Sequence, residues 1–288
     1  MKKTAKQIIL ILPFILLIVI FLISLVNGIV QSLGIIPAFG LTKPTLKYYI
    51  EVLNNKELLL SIGYSLWIAL VSSIIASILG TLLSYLIVSL KLSNSKFLLL
   101  VKLPIIIPHL VVAVFVINIF SQTGLLSRLL YALGFISSHE NFPIMLFDKV
   151  GIGVILAYLW KEIPFICYFV MTIMSKVSIS LEEAAMTLGA NKWKSFTSIT
   201  LPLCFPTIKN GFLIILAFSF GAYELPFLLG ATLPKALPVM AYIEYTHPDL
   251  LHRPYAMVLN VIMIALCVLI CISYFRYLNN VEEQNERE

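Results

Sequence analysis

The sequence predicts an all-α polytopic membrane protein with about six transmembrane helices, and three observations carry that prediction. Of its 288 residues, 60% are hydrophobic and only 12% charged, and the mean hydropathy is +1.00. A soluble domain of this size has no interior able to hide so much apolar side chain. The charges gather in short clusters, and the stretches between them reach the roughly 20 helical residues that cross a bilayer core.

The first span is read at about 8–26, preceded by Lys2, Lys3 and Lys6. A basic start before an apolar run also describes a secretory signal. Here the run is longer than a signal core, and Ser24-Leu25-Val26-Asn27-Gly28 offers no small-x-small cleavage site, so an uncleaved anchor is expected. The second span, about 58–90, is longer than one crossing needs and must tilt or emerge. The others lie at about 103–120, 150–174, 208–229 and 255–274. The connections 31–57, 121–149 and 231–254 leave room for short interfacial helices. The domain plan is an anchor and loop at 1–58, a membrane domain at 59–277 and an acidic tail at 278–288, expected to fray in solvent.

Proline punctuates these spans. Pro104 and Pro108 open the third, Pro164 interrupts the fourth and Pro226 interrupts the fifth. Each removes a backbone donor and frees a carbonyl one turn earlier. In lipid this is tolerated only where protein or water satisfies that carbonyl. Such breaks serve either helix packing or a solute path.

Lysine and arginine set the orientation. With the N-terminus cytoplasmic, that side receives Lys2, Lys3, Lys6, Lys91, Lys96, Lys102, Lys176, Lys192, Lys194, Lys209, Arg276 and Arg287. The other side receives Lys43, Lys47, Lys56, Arg128, Lys149, Lys235 and Arg253. The excess puts both termini inside. The net charge of +6 is then topology information and calls for no nucleic-acid partner. Cys167, Cys204, Cys267 and Cys271 lie in or beside apolar runs without metal-ligand spacing, so no metal site is expected.

Between the fourth and fifth spans lies a polar, cationic island. Ser180-Leu181-Glu182-Glu183 has capping-box spacing, with Glu183 able to reach back to the Ser180 backbone. Leu181, Ala184, Ala185 and Leu188 recur on one helical face. Gly189 suits a left-handed helix end, Asn191 suits the cap of a second short helix, and Leu201-Pro202 suits its stop. Periodicity alone fits either a docking surface or an amphipathic helix resting in the headgroups.

The pattern Glu183-Ala184-Ala185-x-x-x-Gly189, followed by Ile199-x-Leu201-Pro202, resembles the cytoplasmic coupling loop of permease subunits of binding-protein-dependent ABC importers. Weaker landmarks extend the likeness over about 60–277: Ser65-Leu66, Gly80, Tyr85, Pro104, Pro108, Trp160 and Pro164-Phe165. The resemblance implies a type I importer permease fold in a bacterial inner membrane. It implies two separate ATP-binding subunits using ATP-Mg, a second permease (identical or related), an external solute-binding protein and surrounding lipid. Glu183, Ala184, Ala185, Gly189, Ile199, Leu201 and Pro202 would form the coupling loop. The chain itself has no G-x-x-x-x-G-K-[ST] loop to cradle a nucleotide, so it is not expected to be an enzyme or to bind a cofactor.

Charges also sit inside the spans. Lys161 and Glu162 lie mid-way along the fourth, beside Trp160, and Tyr223 and Glu224 lie in the fifth. An ionised group at the bilayer centre costs roughly 2.5–3.5 kcal/mol, so these must face protein or water. Lys161 with Glu224 is a candidate pair, either as a structural tie or as part of a solute path. The Ser219–Gly230 stretch resembles polyamine, iron, sulfate and thiamine permeases, and the lean is to polyamine-type solutes. An ion-gradient-driven transporter and a scaffold subunit that moves nothing stand as alternatives.

Overall fold

The computed structural model describes residues 2–92 and 96–285, with side chains described at 11–92, 96, 98–176, 181 and 184–276. Twelve α-helices are found among them: α1 Lys2–Ser32, α2 Lys47–Leu53, α3 Lys56–Ser89, α4 Phe97–Ile106, α5 His109–Phe120, α6 Leu125–Ala132, α7 Ile152–Thr187, α8 Lys192–Ser195, α9 Leu201–Gly221, α10 Glu224–Leu229, α11 Leu237–Tyr245 and α12 Arg253–Asn285. No sheet forms among the described residues, only one isolated bridge between Ile36 and Leu41. Six helical stretches there are long and apolar enough to cross a membrane: 11–32, 56–89, 109–132, 152–176, 192–221 and 250–276. Short helices α2, α6 and α11 occupy the three long connections, as their length allows.

The chain forms two compact units, residues 1–59 with 240–288, and residues 60–239. In the first, α1 and α2 both pack on α12. The Tyr48 and Tyr255 rings meet edge-on at 5.0 Å, the Tyr255 hydroxyl donates to Glu51, and Ser32 Oγ lies 2.7 Å from the Tyr49 hydroxyl. Leucine and isoleucine cover α1 from 11 to 22 and are bare within the chain, as a lipid-facing helix requires. The α12 backbone is helical to Asn285, so the helix runs on into the acidic 278–288 segment. Glu, Gln and Arg are good helix formers, and no Gly or Pro follows Pro254 to stop it.

The second unit is built on α7. Its Ile166 sits between two glycines, Gly80 on α3 and Gly211 on α9. Without side chains there, the three helices approach closely enough to bury Ala76, Ile166, Val170, Met174, Phe196, Cys204 and Ile215 together. On another side Val101 of α4 joins Ile87, Cys167 and Met171.

The third crossing is shared by two helices. Pro108 disfavours helical geometry at the residue before it, and Ile107 is extended, with ψ 131°. At about 1.5 Å per residue neither α4 nor α5 spans a bilayer core, but end to end they reach about 33 Å. The α4 helix meets α7 near Cys167 and Met171, and α5 meets it near Trp160. The chain therefore runs along α7 toward its N-terminal end.

Three expectations need correction here. The fifth span stops at Gly221, and Ala222 is extended with ψ 133°, so Pro226 and Glu224 belong to the separate helix α10. No helix starts at Ser180, because α7 runs unbroken from Ile152 to Thr187 and even carries Pro164 inside it. The span's momentum replaces the cap as the cause of helicity. The side chains of Ser180 and Glu183 lie outside those described. Finally, Leu201-Pro202 is no stop. A π-helical turn at Phe196–Thr200 joins α8 to α9, and the Leu201 N–H reaches back to the Phe196 carbonyl. The wider turn accommodates the missing donor and ring bulk of Pro202 without ending the helix.

Candidate functional site

The functional residues read from the sequence fall into two groups, both within the second unit. The first is the loop at the C-terminal end of α7. Gly189 has φ +90°. Its N–H bonds the Met186 carbonyl at 3.0 Å and the Ala190 N–H bonds the Ala185 carbonyl at 3.1 Å. This is the paired pattern of a Schellman end, which needs a left-handed residue. Two residues on, the Asn191 carboxamide accepts from the Lys194 N–H at 2.7 Å and opens α8 as expected. The turn between the helices is thus fixed at both ends by its own backbone.

The side chains of this loop divide sharply. Ala184 is exposed, Ala185 half-buried, and Leu188 is 89% exposed. Beyond the turn, Phe196 is buried against Tyr85 of α3, ring centres 4.1 Å apart, with Trp193 at 5.4 Å from Phe196. The Tyr85 hydroxyl also reaches the Lys192 carbonyl at 3.4 Å. Leu201 packs on the α7–α9 core, Ile199 is half-buried in the π-turn, and Pro202 is exposed. The loop is anchored on one side and bare on the other.

That anchorage is testable on the isolated chain. Tyr85→Ala removes two aromatic contacts of about 0.5–1.5 kcal/mol each. Tryptic cleavage after Lys192 or Lys194 is expected to accelerate severalfold, while Tyr85→Phe, which loses only the hydroxyl contact with the Lys192 carbonyl, falls between that variant and wild type.

The second group sits where two helix breaks meet. Turned out of the helix by the extended backbone at the break, the Ile107 carbonyl accepts from Lys161 Nζ at 2.7 Å. The α10 helix packs against α5 and α7, which brings Glu224, in the first turn of α10, to His109, the first residue of α5, at 3.2 Å. The His109 ring stacks on Phe218, centres 5.6 Å apart. Lys161 and Glu224 are therefore not the direct pair expected. They act on each other through space, but each has its own partner supplied by a broken helix. Tyr223 and Trp160 are partly exposed nearby, and Trp160 meets Phe115 edge-on at 6.4 Å.

Glu162 is different, being only 4% exposed. Its carboxyl accepts from Ser219 of α9, whose own carbonyl accepts from the Tyr158 hydroxyl at 3.3 Å. Ser72 of α3 is close to the same carboxyl but gives its hydrogen to the Ala69 carbonyl, 3.3 Å away. Glu162 thus ties α7 to α9. Sequence reasoning missed His109, Ser219 and the Ile107 carbonyl. The available signal for the first was a histidine directly after a proline within an apolar run, a rare residue type at membrane depth.

Helices broken at membrane depth, with charges held at the breaks and a rigid loop beyond them, define a multi-pass membrane permease. The chain belongs to the family of binding-protein-dependent transport system inner membrane components, whose model matches residues 91–281. It is a permease subunit of an ABC-type importer, a transport component rather than an enzyme, and importers of this kind combine permeases with ATPase subunits and an external binding protein. It is 26% identical over 211 residues to the probable sulfate transport system permease protein cysT of Chlorella vulgaris, covering 72% of this chain and 76% of that one. It is 24% identical over 198 residues to the putrescine transport system permease protein PotI of Escherichia coli (strain K12), covering 68% and 65%. Its fold is shared with a chain of a bacterial ABC transporter involved in the import of the acidic polysaccharide alginate, with TM-score 0.77, 20% identity and coverage of 97% and 98%.

Proposed function

We propose that this chain lines the path of an ATP-driven importer for a small amine-type solute, and that its 183–189 loop is the seat of a separate ATPase. The observation that carries the reading is the build of the loop. Its backbone is fixed by caps at both ends, yet among the described residues Leu188 is left 89% exposed. A small-residue surface with a bare leucine suits a partner's groove. The partners are two ATP-binding subunits carrying ATP-Mg, a second permease, identical or related, and an external solute-binding protein. The setting is a bacterial inner membrane with both termini cytoplasmic.

The closing of the ATPases would move the loop as a rigid piece. Trp193 and Phe196 would pass that motion to Tyr85 on α3, and the π-turn would pass it to α9. Both routes lead to the helix breaks around Lys161 and Glu224. Family membership displaces the ion-gradient and scaffold alternatives.

For the solute, the disposition of charge supports an amine. The Lys161 ammonium, which would repel a cation, is turned onto the Ile107 carbonyl. The Glu224 carboxylate, paired with His109 at 3.2 Å, stays half-exposed, and the Tyr223 and Trp160 rings are partly exposed. An acid beside aromatic faces suits an alkylammonium. The relatives include both anion and amine permeases, so they do not decide between the two.

In proteoliposomes of the complete importer, uptake of radiolabelled putrescine is expected to require ATP. It should fall about tenfold in Glu224→Gln, the effect of losing about 1.4 kcal/mol, with ATPase recovery unchanged. ATP-independent uptake that an uncoupler abolishes would overturn the importer. Sulfate uptake indifferent to Glu224→Gln would overturn both the solute class and the path.

A further inference from the structure

We propose that a cleft at the N-terminal end of α7, opposite the loop, binds the phosphate of a phospholipid headgroup. The cleft is about 440 Å³ and lies between α6 and the segment 137–139. Its polar lining includes Arg128, His139, Ser127, Thr123 and Ser138 and no acidic side chain, while Gln122 gives its amide NH2 to the Phe142 carbonyl at 3.4 Å. With a guanidinium and no carboxylate, such a lining favours an anion over a cation.

Two details mark it as a built site. Ser127 lines the cleft yet is only 1% exposed, and its Oγ has no hydrogen-bond partner in the chain. A buried hydroxyl left unpaired is costly and calls for an acceptor. Arg128 uses its Nε on the Thr123 carbonyl at 2.9 Å, which fixes the guanidinium and leaves its terminal nitrogens to the cleft.

The other face of α6 identifies the source of the phosphate. Leu125, Leu129 and Leu133 recur four apart on the side away from Ser127 and Tyr131, and all are exposed, with Phe135 beyond them at 75%. The apolar stretch 109–132 runs on through α6, but the backbone is extended at Ser121 and Gly124, so α6 is a separate short helix and no straight continuation of α5. A short helix with leucines on one side and donors on the other lies in the interface, its apolar edge among acyl chains. A phosphodiester on those same lipids is then within reach of Arg128 and Ser127. A free phosphate would satisfy the donors but give no reason for the leucine edge.

The test is lipid retention by the purified full chain, read by native mass spectrometry after reconstitution in nanodiscs of phosphatidylcholine with or without phosphatidylglycerol. Wild type is expected to retain phosphatidylglycerol. Arg128→Gln should retain at least fivefold less, and the nearly isosteric Ser127→Ala two- to threefold less, with unchanged thermal unfolding. Equal retention by wild type and both variants would overturn the site. Binding of soluble glycerol 3-phosphate that phosphatidylglycerol fails to displace would overturn the lipid as its source.

Discussion

Leu188→Asp is expected to abolish recovery of the P-loop ATPase with this chain from mild-detergent membranes, while the chain itself folds and accumulates normally. Leu188 is 89% exposed among the described residues, so folding has little stake in it. In a groove, however, a leucine contributes roughly 1.5–3 kcal/mol, and a carboxylate put there adds a desolvation cost. A loss of about 3 kcal/mol is roughly a hundredfold in affinity. Gly189 gives a second, independent handle. A Cβ there would meet no atom within 4 Å, so only its φ of +90° resists substitution. Gly189→Asn, which tolerates that conformation, should keep the ATPase, whereas Gly189→Asp should lose most of it because it also puts charge against the partner. Full recovery with both aspartate variants would remove the loop as the docking site and leave the headgroup-resting helix in its place.

The sequence made the crossings legible because apolar length is a long, redundant signal. Losing a residue from 150–174 or 255–274 would not hide the span. Breaks were harder, because a proline states that a donor is missing without saying what the backbone does about it. Pro108 did end a helix, since Ile107 had a lysine to take its carbonyl. Pro164 did not, being carried inside α7. Pro202 was absorbed by a π-turn. The difference lies in neighbours far along the chain, which local pattern cannot contain.

The site was legible in the same uneven way. The turn at Gly189–Asn191 follows from local rules, and the structure forms it with those residues in those roles. Residues that need a long-range partner were found singly but paired wrongly. Lys161 and Glu224 stood out as charges in apolar runs, yet the groups they bind are a carbonyl 54 positions away and a histidine on another broken helix. Ser219 could not be singled out at all, since serine in a span ordinarily bonds its own helix.

Gly80→Val is expected to be the most damaging substitution in the second unit. A Cβ at Gly80 would lie 2.7 Å from Ile166 Cβ and 2.8 Å from the Ile163 carbonyl oxygen. The first neighbour is the stiff stem of a β-branched side chain and the second is backbone, so neither gives way cheaply. Overpacking of this kind costs about 1–3 kcal/mol for a few atoms, which corresponds to roughly 3–10 °C in melting midpoint. The chain carries its own reporters: Cys167 and Cys204 are fully buried around this contact. With Cys267 and Cys271 replaced by serine, a thiol-reactive dye reads the opening of this core directly. Gly80→Ala should melt several degrees below that parent and Gly80→Val lower still. Trimming Ile166 to alanine removes its Cγ2, 2.8 Å from the added atom, but leaves its Cβ and the Ile163 carbonyl in place, so Gly80→Ala with Ile166→Ala should cost less than the sum of the two changes without returning to wild type. Strict additivity would mean that α3 and α7 do not touch at this glycine, and the packing of the unit around Ile166 would have to be redrawn.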